Sequence, residues 1–173
     1  INRQFFVLRF LVIFSFFSQA QEYNSFNKFP IDNPLSYKSI QTIAQDKEGF
    51  IWLGSQEGLH RFDGYQLLSF HHDANKQNSL SSNIISRILF DYNNQLWVAT
   101  RGGGLNIFQE SSQDFKRIDS KKTALKLSND NVNALIEDKN HNIWVGTEHG
   151  LNIILRNDGN WQVKHILHEL DNP

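Results

Sequence analysis

The chain has 173 residues, 39% of them hydrophobic and 20% charged, with 14 Phe and 4 Trp available to fill an interior. That is the composition of a globular chain with a sizeable core. A net charge of −1 supplies no basic field for nucleic acid or an anionic membrane surface, and the absence of Cys excludes disulfides, thiolate zinc sites and a Cys nucleophile.

The first element is an address. Residues 5–17 read FFVLRFLVIFSFF, with Arg3 and Arg9 as the nearby charges, and Ser18-Gln19-Ala20 follows. The apolar run is shorter than the roughly 20 residues of a bilayer span. A basic flank, a short apolar core and a small-x-small site predict a secretory signal peptide over residues 1–20, cleaved after Ala20. The competing reading is a buried strand or short helix. Export of a Cys-free chain fits a bacterial envelope compartment. The sequence contains no Met, so further residues are expected before Ile1.

From residue 35 onward the chain repeats. Trp52, Trp97 and Trp144 lie 45 and 47 residues apart. Twelve positions before each stands Ile40, Ile85 or Val132, and nine before stands Ile43, Ile88 or Leu135. Six before stands Asp46, Asp91 or Asp138, and seventeen before stands Leu35, Leu80 or Leu127, each followed by Ser. After each Trp come an apolar residue, then Gly54, Ala99 or Gly146, then Ser55, Thr100 or Thr147. The Gly-Leu pairs at Gly58, Gly104 and Gly150 complete the unit, with one extra glycine in the Arg101–Leu105 turn.

Within each unit the apolar period is two. It predicts four short strands, at 39–45, 50–55, 59–62 and 67–70 in the first copy, with counterparts in the others. The predicted class is all-β: β-propeller blades of four antiparallel strands each, three of them, forming an incomplete ring. Blade 1 is placed at 35–79, blade 2 at 80–126 and blade 3 at 127–173. Residues 21–34 are read as an N-terminal strand that closes the ring, because Phe26-Asn-Lys-Phe29 resembles the outer strand Phe115-Lys-Arg-Ile118.

The turn after each first strand starts with Asp46, Asp91 or Asp138, whose side chain can cap it. Its fourth position is Gly49, Asn94 or His141, residue types that tolerate positive φ. A calcium loop is disfavoured, since each turn offers one fixed carboxylate where calcium takes six to eight oxygens. Each Trp is read as a wedge between adjacent sheets rather than a ligand-stacking surface.

The repeated pattern, clearest in IAQDKEGFIWLGSQEGLHRFD (43–63) and LIEDKNHNIWVGTEHGLNI (135–153), resembles the two-component regulator propeller repeat. The resemblance covers roughly Leu35 to Ile166 and is specific for the repeat type. It implies the periplasmic, ligand-sensing region of a transmembrane receptor, usually seven-bladed, followed by a membrane span and a histidine kinase or diguanylate cyclase output module. Further blades of the same chain are therefore expected after Pro173. A homodimer of the parent receptor and a ligand such as a glycan are implied partners. The middle copy departs from the pattern at Asn94, Ala99 and the inserted glycine, which affects the shape of its loop.

No catalytic constellation is legible, and no metal site or cofactor is expected. His165-x-x-His168 shares a face only on a helix, whereas the sequence around it reads as a strand. The adjacent pair His71-His72 reads as a polar loop, and Arg101-Gly-Gly-Gly104 as a flexible turn rather than a phosphate cradle. Lys116, Arg117, Lys121 and Lys122, the densest cationic cluster, read as a solvated loop. The chain itself is therefore not expected to be an enzyme. The alternatives are a propeller lyase or glycosidase with its acid and base on rim loops, a free-standing interaction scaffold, or a gene fragment. Short linkers weigh against an active-site insertion. A ligand would meet loops on one rim of the channel, at residues the sequence does not single out.

Overall fold

The structure is a computed structural model and describes residues 39–121, 125–157 and 160–166. The leader expected at 1–20, the strand expected within 21–34, the first Leu35-Ser36 pair, Lys122 and His168 lie outside the described residues.

Twelve strands form three four-stranded antiparallel sheets, with no helix among the described residues. The first holds β1 (Ile40–Gln45), β2 (Ile51–Ser55), β3 (Leu59–Phe62) and β4 (Leu67–Phe70). The second holds β5 (Ile85–Phe90), β6 (Leu96–Thr100), β7 (Leu105–Gln109) and β8 (Asp114–Ile118). The third holds β9 (Val132–Glu137), β10 (Ile143–Thr147), β11 (Gly150–Asn157) and β12 (Asn160–Ile166). Each sheet is a meander in which neighbours in sequence are neighbours in space. The sheets are the blades of a β-propeller, and they stand unclosed.

Alternation explains how the blades stack. In the first sheet Ala44, Trp52, Arg61 and Leu68 form one cross-strand row. Thr42, Gly54, Leu59 and Phe70 form the next row on the same face, as a side-chain period of two requires. That face meets the second blade. Trp52 stacks on Phe70 at 5.8 Å and receives the edges of Phe108 at 5.1 Å and Phe90 at 6.2 Å. Trp52, Leu59, Leu80, Ile85, Leu96, Val98, Phe108 and Phe115 make one continuous apolar core there. The second interface repeats the arrangement, with Trp97 stacked on Trp161 at 4.8 Å within a core that includes Leu127, Val132, Ile143 and Val145. Each of these two tryptophans thus faces the blade that follows it.

The middle blade is covered on both faces, and β6 is buried from end to end. The outer faces of the first and third blades are open. Ile43 is 66% exposed, whereas its counterpart Ile88 in the middle blade is 9% exposed. Ile136 is 63% exposed, while its counterpart Leu89 packs against the second core. Trp144 is half-buried.

One expectation needs correction. Lys116 and Arg117 lie in β8, not in a solvated loop. Arg117 donates through Nε to Ser79 O (2.8 Å) and through Nη2 to Lys76 O (2.9 Å), Ser79 Oγ (2.7 Å) and Leu80 O (3.0 Å). Desolvation of the half-buried guanidinium pushes its pKa below the usual arginine value. Its planar fork is suited to gathering several carbonyls at once. The side chain ties the connection between the first two blades to the outer strand of the second. The Lys116 ammonium lies 5.4 Å from the Trp161 ring, and Lys121 is exposed.

Candidate functional site

Two side-chain devices build the scaffold, and together they define what is left over for function. The first joins the hairpin turn to the Trp. Asp46 accepts at Oδ1 from Phe50 N (2.9 Å) and at Oδ2 from Trp52 Nε1 (2.8 Å). Asp138 accepts at Oδ1 from Asn140 N (2.8 Å) and Asn142 N (3.0 Å), and at Oδ2 from Trp144 Nε1 (2.9 Å). Asp91 repeats this with Asn93 N, Gln95 N and Trp97 Nε1, and its Oδ2 also accepts from Arg156 Nη2 of the third blade at 2.8 Å. The fourth turn residue has positive φ each time: Gly49 at 94°, Asn94 at 59° and His141 at 62°. A spacing of six thus places one carboxylate where it orders a turn and orients an indole together.

The indole N–H of Trp144, then the Asn142 amide, hold the Asp138 carboxyl well below the usual carboxylate range. A carboxyl that is harder to protonate in the folded chain than in the unfolded one, near pKa ~3.9, stabilises the fold above about pH 4. That contribution disappears as pH falls through the lowered value. Asp138→Asn is therefore expected to flatten the acid limb of the stability profile, measured as urea midpoints from neutral pH down to about pH 3.

The second device grips the Leu-Ser step that opens each blade. Asn106, buried in β7, accepts at Oδ1 from Ser81 N (2.9 Å) and donates through Nδ2 to Ser81 Oγ (2.8 Å). Asn152, buried in β11, does the same with Ser128, at 2.9 Å and 2.9 Å. The hydroxyls of Thr100 and Thr147 complete each cage, 3.3 Å from Ser81 Oγ and 2.9 Å from Ser128 Oγ. Leu80 and Leu127, alongside, plug the two inter-blade cores. In the first blade the position is taken by buried His60, bonded to Ser55 Oγ (3.2 Å) and Ser69 Oγ (2.8 Å). Asn106→Ala strands the Ser81 amide and is expected to lower stability by about 1–3 kcal/mol, readable by denaturant titration.

Gly58, Gly104 and Gly150 close the second hairpins with φ of 139°, 75° and 116°. At Gly104 a Cβ would also press on Ile118 O, so both conformation and space select glycine. Among the histidines, His165 Nε2 donates to Lys126 O (2.7 Å) from β12. His71 and His72 donate through Nδ1 to Glu57 O and Leu80 O. Among the described residues no three His, Asp or Glu side chains gather as a metal site would require.

Beyond these scaffold positions, all three blades converge on a cleft. The cleft, of about 390 Å³, opens where the inner strands β1, β5 and β9 meet the second hairpin loops. Gln41, Ser86 and Asn133 line it, each one residue after the repeated Ile or Val. Gln56, Arg101 and Glu148 also line it, each four residues after its Trp. Ile84, Ile85 and Arg87 complete the wall. The blades supply the same backbone positions but different side-chain chemistry. Sequence reasoning passed over these residues because it followed the positions that stay constant. Their common offsets were the available signal.

The fold and the repeated side-chain devices define a β-propeller repeat protein. Residues 34–57, 79–102 and 126–149, one segment in each repeat unit, match the model of the two component regulator propeller. The extracellular domain of a hybrid two-component system from B. thetaiotaomicron superposes with TM-score 0.70 at 23% identity, covering 80% of this chain and 20% of that one. PorZ, a surface component of the type-IX secretion system of Porphyromonas gingivalis, gives TM-score 0.52 at 21% identity, over 65% of this chain and 17% of that one. Both likenesses are to the fold. A histidine kinase of Formosa agariphila is 37% identical over 76 residues, 41% of this chain. The chain spans 6% of that relative's length.

Proposed function

We propose that this chain supplies blades of the ligand-sensing, extracytoplasmic input domain of a transmembrane two-component-type receptor. Residues 1–20 export it, and the cleft shared by the three inner strands receives the ligand. The observation that carries this reading is the cleft itself: a constant scaffold holds three different polar side chains, Gln56, Arg101 and Glu148, at one equivalent position. Binding sites take this form, with adaptable side chains on loops positioned by a rigid framework. The sensor context is supported by the repeat type and by the stretch shared with a histidine kinase.

Binding without hydrolysis suits the lining. Glu148 is the one carboxylate among the described residues of the cleft, while a glycosidase ordinarily works with two.

Expression of the full chain in a Gram-negative host tests export, and a thermal-shift screen against envelope saccharides tests sensing. The expected results are a periplasmic product beginning at Gln21 and a melting temperature raised by a ligand that binds only the folded form. An uncleaved cytoplasmic product, or saccharides that shift melting equally with and without substitutions at Gln56 and Asn133, would overturn the proposal.

A further inference from the structure

We infer that the three-blade cleft is selective for a polyhydroxylated ligand carrying an oxyanion, an inference that rests on the cleft being the ligand site. The charge balance at the mouth carries it. Arg87 and Arg101 both line the cleft, and Glu148 is the one carboxylate among its described residues. That carboxylate is already engaged, since Asn131 Nδ2 donates to Glu148 Oε2 at 2.8 Å. Arg87 spends one Nη1–H on Ser86 O at 2.8 Å. The exposed Arg101 guanidinium forms no ion pair among the described residues, although its main-chain N is anchored to Ile84 O at 2.9 Å. An anchored backbone beneath an uncommitted guanidinium leaves a planar, five-donor group to meet a ligand in the cleft.

The rest of the lining fixes the other half of the chemistry. Gln41, Gln56 and Asn133, all exposed, bring primary amides that donate and accept together, as sugar hydroxyls require. The volume of about 390 Å³ lies at the small end of ordinary ligand pockets. Among the described residues the wall carries no aromatic ring on which a flat apolar ligand would stack. A sugar acid or a sulfated sugar satisfies both requirements. Its anion bridges the guanidinium groups in charge-assisted hydrogen bonds, and its hydroxyls meet the amides.

Calorimetric titration of the full chain with glucuronate, glucose 6-sulfate and glucose tests this directly. Expected is binding of at least one of the two anions in preference to glucose, weakening as salt is added. The stronger of the two identifies carboxylate or sulfate as the anion. Arg101→Gln should weaken that binding about tenfold, whereas Glu148→Gln should strengthen it by removing a like charge. Both residues are exposed, and circular dichroism is expected to show unchanged folding in both variants. Glucose bound as tightly as either anion, an Arg101→Gln protein that binds as before, or no binding of either anion would overturn the inference. A neutral saccharide from the thermal-shift screen whose effect depends on Gln56 and Asn133 would leave the sensing role standing while this inference falls.

Discussion

Trp97→Ala is expected to cost the chain about 3–5 kcal/mol and to leave it aggregating or unfolded at ordinary temperature. Trp97 is 1% exposed and stacks on Trp161 of the next blade at 4.8 Å. It belongs to the same core as Leu127, Val132, Ile143 and Val145, so its removal opens a cavity between two sheets rather than within one. Loss of the indole also leaves Asp91 Oδ2 without the N–H that reaches it at 3.0 Å. Circular dichroism melts of the wild-type and variant chains measure the effect. Trp144→Ala, at the half-buried open face, is the matched comparison and should cost markedly less. A Trp97→Ala protein as stable as the wild type would remove the inter-blade role of this residue.

Most of the fold could be read from the sequence because three copies of one unit average out local ambiguity. The strands expected at 59–62 and 67–70 coincide with β3 and β4, and those expected at 39–45 and 50–55 begin one residue early. Alternation placed Trp52, and the positive-φ position was evident from the exchange of Gly49, Asn94 and His141. What escaped was side-chain chemistry between one strand or turn and another. The Asp residues were read as turn caps, yet their second oxygens hold the indoles six residues on. Ser81 and Ser128 were noted only as followers of Leu, because their partners Asn106 and Asn152 lie 25 and 24 residues downstream and the first copy carries His60 there. Arg117 looked like a surface cation because its four acceptors are carbonyls and a hydroxyl of another segment, which composition does not reveal. The cleft escaped for the opposite reason: its residues share offsets but not identity.

The division between constant and variable positions bears on how such a domain could serve as an input. Asp46, Asp91 and Asp138 fasten each Trp to its hairpin, and the Asn–Ser cages fasten the second and third blades to the chain that enters them. These bonds lie within a blade, where continuous strand ladders also run, while the interfaces between blades combine apolar packing with separate polar links. Among those links are Ser86 Oγ to Val132 O at 2.5 Å and Ile88 N to Thr42 Oγ1 at 3.3 Å. Blades held internally by continuous strand ladders can adjust their mutual angle more easily than their internal geometry. A ligand spanning the inner strands of several blades would act on that softer coordinate.

Asp91 is where a within-blade device and an inter-blade link coincide, and Asp91→Ala should therefore be the most damaging change to a polar residue. Its side chain is 1% exposed and accepts four hydrogen bonds, from Asn93 N, Gln95 N, Trp97 Nε1 and Arg156 Nη2. Alanine would leave two turn amides and an indole unpaired and the Arg156 guanidinium facing the core edge without its counter-ion. Removing one partner of a buried charge pair costs about 3–5 kcal/mol. Asp138→Ala, which breaks the same turn without an arginine on its carboxylate, should cost markedly less. Urea denaturation of both variants, with Arg156→Ala and the double variant Asp91→Ala/Arg156→Ala, separates the contributions. The expected coupling is that the second substitution costs little once the first is made. Equal losses for Asp91→Ala and Asp138→Ala would show that the link to the third blade adds nothing. The Asp91 carboxylate would then be a turn cap and indole anchor like its two counterparts.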